Sequence, residues 1–217
     1  MNKIKVIIAE DHTIVRQGLS ALLRSEPDIE VVGEASDGLE AIELAKRLIP
    51  DVVLMDIAMR NLNGIEATRQ IKKLFSQMKV LVLTMYENEE CIFQILKAGA
   101  SGYLIKDSAM TDLVSAIRSI HQGDSYLSPS ISKKVIEEYI QRAESGEKRS
   151  LGDLLSSRER EILQLISEGH SVPQIASLLC ISKKTVEAHK THIMEKLNIH
   201  DKVGLIKYAI RMGLTEL

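Results

Sequence analysis

A parallel α/β sheet of five strands, wound on both faces by helices and followed by a small all-α domain of four helices, is the architecture these 217 residues predict. Two observations carry it. Over the first ~120 residues, short apolar runs alternate with segments of helical period at the spacing of βα units. Beyond a polar stretch near 145–152 the pattern is helical to the end, with no further strand signal.

Strands are expected over 4–9, 30–35, 51–56, 79–84 and 101–105, and helices over 13–25, 38–48, 64–75, 88–97 and 109–121. Parallel strands joined by helices imply right-handed crossovers and helices on both sheet faces. Gly99 and Gly123 follow periodic segments and are read as the left-handed residues that end helices. Met1-Asn2-Lys3 runs straight into the first strand pattern, so no signal peptide is expected. After Pro129 comes a short helix, 130–143, and then the polar run Glu144 to Ser150, read as a linker. The resulting division is 1–124, a linker region 125–152, and 153–217.

In the last part, Ser156-Ser157-Arg158-Glu159 is a capping box before the apolar run Ile162, Leu163, Leu165, Ile166, which stops at Gly169. Ser171 starts a second helix with Pro173 in its first turn, where proline is tolerated. Ser182 caps a third helix reaching about Leu197, and a fourth covers about 203–212. The short turn Leu179-Cys180-Ile181-Ser182 between the second and third makes a helix-turn-helix.

Composition excludes several classes. The 45% hydrophobic content supports ordinary cores, and no apolar stretch is long enough to span a bilayer. Only two cysteines, Cys91 and Cys180, are present, which suits reduced thiols in a cytoplasmic protein. The net charge of −2 is uneven: 180–211 carries 7 basic and 3 acidic side chains, a bias that suits a polyanionic partner.

Chemistry gathers at the strand ends. Glu10-Asp11 closes the first run, Asp56 the third, Thr84 the fourth and Lys106 the fifth. In a parallel sheet these three carboxylates, one hydroxyl and one amine share the edge where ligands bind. A lone Asp at a strand end is most often a helix cap. Clustered carboxylates attract a hard cation such as Mg2+, and one of them can act as nucleophile toward a phosphoryl donor.

With these residues in view, the chain resembles a two-component response regulator of the NarL/FixJ family over essentially its full length. Glu10-Asp11, Asp56, Asn63-Gly64, Thr84, Tyr103 and Lys106 match the receiver pattern. Leu155-Ser156, Arg158-Glu159-Arg160-Glu161, Ile175-Ala176, Ile181-Ser182, Thr185-Val186, His189, Ile193 and Lys196-Leu197 match the LuxR-type output pattern. The resemblance implies a flavodoxin-like receiver whose Asp56 accepts a phosphoryl group from a histidine kinase. Glu10, Asp11, Asp56 and the Ala58 carbonyl would hold Mg2+, Lys106 and Thr84 would meet the phosphoryl group, and Thr84 and Tyr103 would switch. It further implies double-stranded promoter DNA as partner, a homodimer when phosphorylated, no membrane, and no enzyme activity beyond the protein's own phosphoryl acceptance and loss. Four positions depart from the pattern. Arg60 stands where many receivers have Pro; so does Asp107, which leaves the isomer of the Lys106–Asp107 bond open. Neither Ala58 nor Tyr86 is an acid or amide that would position a water, so slow self-dephosphorylation is expected.

The third helix of the output half reads as the recognition helix. Val186, Ile193 and Leu197, with Lys190 in part, share its inner face. Lys183, Lys184 and Lys190 are expected on phosphates, with Thr185 in the same first turns. Glu187 could accept from a cytosine amino group, and Ala188 or Thr191 could touch a thymine methyl; pairing of Glu187 with Lys183 or Lys190 is the plainer alternative. Three rival readings fit the residues less well. A phosphatase with an aspartate nucleophile would need a second acid at Ala58. A flavodoxin-like cofactor binder would need a Ser/Thr/Gly-rich loop where Glu10-Asp11-His12 stands. An interaction module working without phosphorylation has no need of Asp56, Thr84 and Lys106.

Overall fold

The computed structural model describes residues 3–85, 89–106, 109–145 and 154–215. Strands β1 (Ile4–Ala9), β2 (Ile29–Ala35), β3 (Val52–Met55), β4 (Lys79–Thr84), β5 (Gly102–Ile105) and β6 (Tyr126–Leu127) form one parallel sheet in the order β2-β1-β3-β4-β5-β6. Helices α1 (Thr13–Arg24), α2 (Gly38–Leu48), α3 (Gly64–Leu74), α4 (Glu89–Lys97) and α5 (Ala109–Gln122) follow the first five strands in turn.

Successive strand residues enter different cores, as the two-residue side-chain period requires. Ile7, Ala9, Val53 and Met55 pack with α2, α3 and α4, whereas Val6, Ile8, Val52 and Leu54 pack with α1 and α5. Burial on both faces is why these strands read as unbroken apolar runs. Gly99 and Gly123 take φ of +98° and +107°, the left-handed conformation expected of helix ends.

The expected strand count is corrected by one. Tyr126 lies opposite Gly102 and Leu127 opposite Tyr103, so a sixth strand pairs with the edge of β5. Two residues are too few to produce a periodic signal, but they satisfy backbone groups that an edge strand leaves unpaired. The following helix, α6 (Pro129–Ser145), contributes Ile131 to the α2–α4 core, with Leu127 and Val135 packed against it. The first part of the stretch read as linker therefore lies on the sheet domain; residues 146–153 of the polar run lie outside the described residues.

Helices α7 (Ser157–Ser167), α8 (Val172–Leu178), α9 (Lys183–Leu197) and α10 (Lys202–Arg211) build a separate core around Ile162, Ile166, Ile175, Val186, Ile193 and Leu205. Every expected cap is in place. Ser156 and Glu159 form the capping box of α7, and the Ser182 hydroxyl accepts from the Thr185 N–H at 3.0 Å. Arg158 donates to the Leu179 carbonyl at 2.8 Å, fastening the turn between α8 and α9. Glu159 also takes the Lys196 ammonium at 2.7 Å, tying α7 to α9. Burial alone would raise its carboxyl, but hydrogen bonds from Lys196 and Ser156 outweigh this and hold it below the usual carboxylate range. Glu159→Ala should therefore cost about 2 kcal/mol in a denaturant melt at neutral pH. A depressed carboxylate gives stability that is lost as pH falls through its folded value, so the deficit should shrink below about pH 4. Among the described residues no helix is long and apolar enough to cross a membrane.

Candidate functional site

Pairing of β1 with β2 and β3 sets the carboxylates at one sheet edge: the Glu10 N–H donates to the Ala35 carbonyl at 3.0 Å and the Asp56 N–H to the Ala9 carbonyl at 2.9 Å. Thr84 lies opposite Ile105 at the ends of β4 and β5, so Lys106 emerges beside it. The Lys106 ammonium lies 2.8 Å from Glu10 Oε2 and 3.0 Å from Asp56 Oδ2. Glu10 and Asp56 are only 1% and 3% exposed, and Thr84 and Tyr103 are fully buried. Asp11 is partly exposed beside them.

Burial pushes the Asp56 carboxyl up to about 7; Lys106 pulls it down and Glu10 pushes it further up, without reversing the effect of burial. Burial pulls Lys106 down, but Asp56 and Glu10 together outweigh it and leave the ammonium above its ordinary value. One ammonium thus serves two buried carboxylates, with Asp11 close by. That set has excess negative charge, and it fits a hard cation. One ligand atom from each of Glu10, Asp11, His12 and Asp56 lies within 4.8 Å of the others. Asp11 Oδ1 is buried and accepts no hydrogen bond of good geometry, with His12 Nδ1 2.9 Å away. His12 itself stands at the N-terminal boundary of α1, half exposed.

The Asn63-Gly64 pair has a steric reason. A Cβ at Gly64 would collide with the Asp56 carbonyl oxygen, and the Gly64 N–H donates to the Ile57 carbonyl at 2.8 Å. Asn63 caps α3 by accepting from the Glu66 N–H at 2.9 Å. Tyr103 packs in the same core as Cys91, Ile95 and Ile131. Tyr86 and Asp107, which the sequence singles out, lie outside the described residues.

Sequence reasoning missed the contact between the two domains. Gln164 of α7 is fully buried against the loop after Asp56. Its Oε1 accepts from the Asn63 N–H at 3.0 Å and from Asn63 Nδ2 at 2.7 Å, and its Nε2 donates to the Met59 carbonyl at 2.9 Å. Arg160 reaches Glu66 at 3.3 Å, and Glu66 also pairs with Arg69 at 2.5 Å. Beyond α10, Gly213 sits against Cys91 of α4, where a Cβ would come within 2.6 Å of Sγ. Beside the contact a cavity of ≈ 620 Å³ is lined by Asp11, His12 and Ala58 on one side and by Glu168 and His170 on the other. Burial there pushes the Glu168 carboxyl up. A signal was present: Gln164 is the one polar residue inside the run 162–166, on a helix apolar enough to need covering on two sides.

Helix α9, read from the sequence as the recognition helix, keeps its outer face exposed. Lys183, Lys184, Thr185, Glu187, Ala188 and Thr191 are exposed and Lys190 partly so, while Val186 and Ile193 are buried. Glu187 has no ion-pair partner within 4.0 Å among the described residues, so the alternative pairing with Lys183 or Lys190 is not formed in this structure. The Thr191 hydroxyl donates to the Glu187 carbonyl at 3.1 Å.

Two family models match. The first, described as "Response regulator receiver domain", covers residues 6–118; the second, "Bacterial regulatory proteins, luxR family", covers 153–209. The oxygen regulatory proteins NreC of Staphylococcus epidermidis and Staphylococcus carnosus are each 41% identical over 216 residues, 98% of this chain and 99% of theirs. RcsB from Salmonella enterica serovar Typhimurium, solved bound to promoter rprA in the presence of phosphomimetic BeF3−, is similar with a TM-score of 0.64 and 32% identity, over 95% of this chain and 98% of that one. A LuxR-family two-component response regulator from Aurantimonas sp. aligns with a TM-score of 0.61 and 36% identity over 64% of this chain and 99% of its own.

Proposed function

Because the chain belongs to the NarL/FixJ-type response regulators, DNA-binding transcriptional regulators of two-component systems, we propose that phosphorylation of Asp56 switches it. Residues 1–124 act as the phosphoacceptor domain and 153–217 as the DNA-binding domain, joined through 125–152. The observation that carries this reading is the buried cluster Glu10, Asp56 and Lys106 at the carboxyl edge of the sheet.

One Asp56 oxygen attacks the phosphorus of a sensor kinase's phosphohistidine. The new O–P bond forms as the P–N bond breaks, and the imidazole leaves with that electron pair. Lys106 pairs with the phosphoryl oxygens and the Thr84 hydroxyl donates to them. Glu10, Asp11, Asp56 and the Ala58 carbonyl would hold Mg2+, which when bound neutralises charge that three carboxylates would set against an incoming phosphoryl group. Thr84 moves toward the phosphoryl group and Tyr103 changes rotamer with it, carrying the change to α4. With no acid or amide at Ala58, no side chain there holds a water in line, and the phosphoryl group should be lost slowly.

The partners are a histidine kinase and double-stranded promoter DNA, met as a homodimer with α10 supplying the output contact. The exposed outer face of α9 favours gating through dimerisation over release of a masked helix. Val203 on α10 is 60% exposed, an apolar side chain available to a second copy.

The test is intact mass after incubation with acetyl phosphate and Mg2+. One phosphoryl adduct on wild type, absent on Asp56→Ala and after chelation, supports the reading; no adduct on wild type overturns it. The raised Asp56 carboxyl adds a pH dependence. A metal ion must displace its proton, so the Kd for Mg2+, followed by calorimetry, should rise about tenfold per pH unit below about 7 and level off above it.

A further inference from the structure

We propose that Gln164 makes the output domain part of the phosphoacceptor site, as a positioning residue that restrains the loop between Asp56 and α3 and slows phosphoryl uptake while the domains are closed. Gln164 can have this role only if Asp56 is the phosphoacceptor, as proposed above.

The loop following Asp56 carries the Ala58 carbonyl and leads into Gly64, which lies against the Asp56 carbonyl. A shift of a few tenths of an ångström there moves the groups that meet a phosphoryl donor. Gln164 holds the loop at two points, Met59 O and Asn63, through three hydrogen bonds of 2.7–3.0 Å in a fully buried setting. Buried amides of this kind are costly to leave unpaired, so loop and helix move together or separate. The same closure seats Gly213 on Cys91 of α4. The domain contact thus grips the site loop and covers α4, while the outer face of α9 stays exposed. Closure regulates entry to the phosphorylated state instead of hiding the base-reading surface.

Two thiols report the state of the full chain. Cys91 is buried and Cys180 is exposed. Iodoacetamide labelling, localised by peptide mass, gives the Cys91-to-Cys180 ratio. In wild type that ratio should be low and should rise with acetyl phosphate and Mg2+. Gln164→Ala should raise it about tenfold without any phosphodonor, and should speed phosphoryl uptake by a similar factor. A cooperative melt separates opening from unfolding. Gln164→Glu provides a variant of the same shape: it keeps the acceptor for Asn63, loses the donor to Met59, and should also speed uptake. Arg160→Gln weakens the contact away from the loop, so it should raise Cys91 labelling more than uptake. If both Gln164 variants take up the phosphoryl group at the wild-type rate, the inference is overturned, even where Cys91 labelling rises, since Gln164 would then be packing alone. A wild type that takes up no phosphoryl group fails the earlier reading, which Asp56→Ala tests by itself.

Discussion

Asp56→Asn should abolish the phosphoryl adduct and at the same time stabilise the metal-free protein at pH 8. The two effects have one cause. Asp56 is buried beside Glu10, and the pair shares a single ammonium, Lys106. Its folded value of about 7 lies above the ordinary 3.8, so the folded state prefers the protonated acid. A raised value gives stability that is fully present below about pH 4 and is lost as pH rises through about 7. At pH 8 wild type therefore carries an ionised, buried carboxylate at a cost of a few kcal/mol, on the order of 1.4 kcal/mol for each pH unit that separates the folded and ordinary values. The amide avoids that cost, and Lys106 keeps Glu10. We expect a gain of about 2 kcal/mol at pH 8 in a chelator-containing melt, shrinking toward pH 4. Saturating Mg2+ should raise wild type toward the variant, because it binds the folded carboxylates only. Equal stability of the two proteins at pH 8 without metal would mean that Asp56 is not held in a buried, charge-crowded state.

Lys183→Ala combined with Lys184→Ala should weaken DNA binding at least tenfold and lower the slope of log affinity against log salt by about 2. Both lysines are exposed in the first turn of α9 and lie outside its core. Their loss should leave folding intact and act equally on matched and mismatched sites, as phosphate contacts do. Glu187→Ala should behave differently. With no ion-pair partner among the described residues, this acid repels phosphates and is free to accept from a base. Its removal should raise affinity for unrelated DNA while relaxing the preference at one base position. Fluorescence anisotropy with a cognate and a scrambled duplex, at several salt concentrations, separates the two patterns. A double lysine variant that keeps the wild-type salt slope would remove α9 from the DNA surface.

Period and punctuation in the sequence determined most of the architecture. Apolar runs marked the five strands, four of them buried on both faces, and the residues at their ends fell together because parallel strands share one edge. Capping residues fixed the output helices for a local reason: Ser156 with Glu159, Ser182 and Asp201 each satisfy backbone donors within a few residues. The role of Asn63-Gly64 was legible only as a motif. Its reason, the approach of Gly64 to the Asp56 carbonyl, needed the folded chain. Tertiary structure decided the rest. The strand at 126–127 exists because β5 offers an edge, not because two residues prefer to be extended. The position of Gln164 over the loop after Asp56 depends on a contact spanning 101 residues, which no local pattern encodes. The charge state of Asp56 follows from how deeply the assembled sheet and helices bury it beside Glu10 and Lys106, a property of the environment that the residue's identity does not carry.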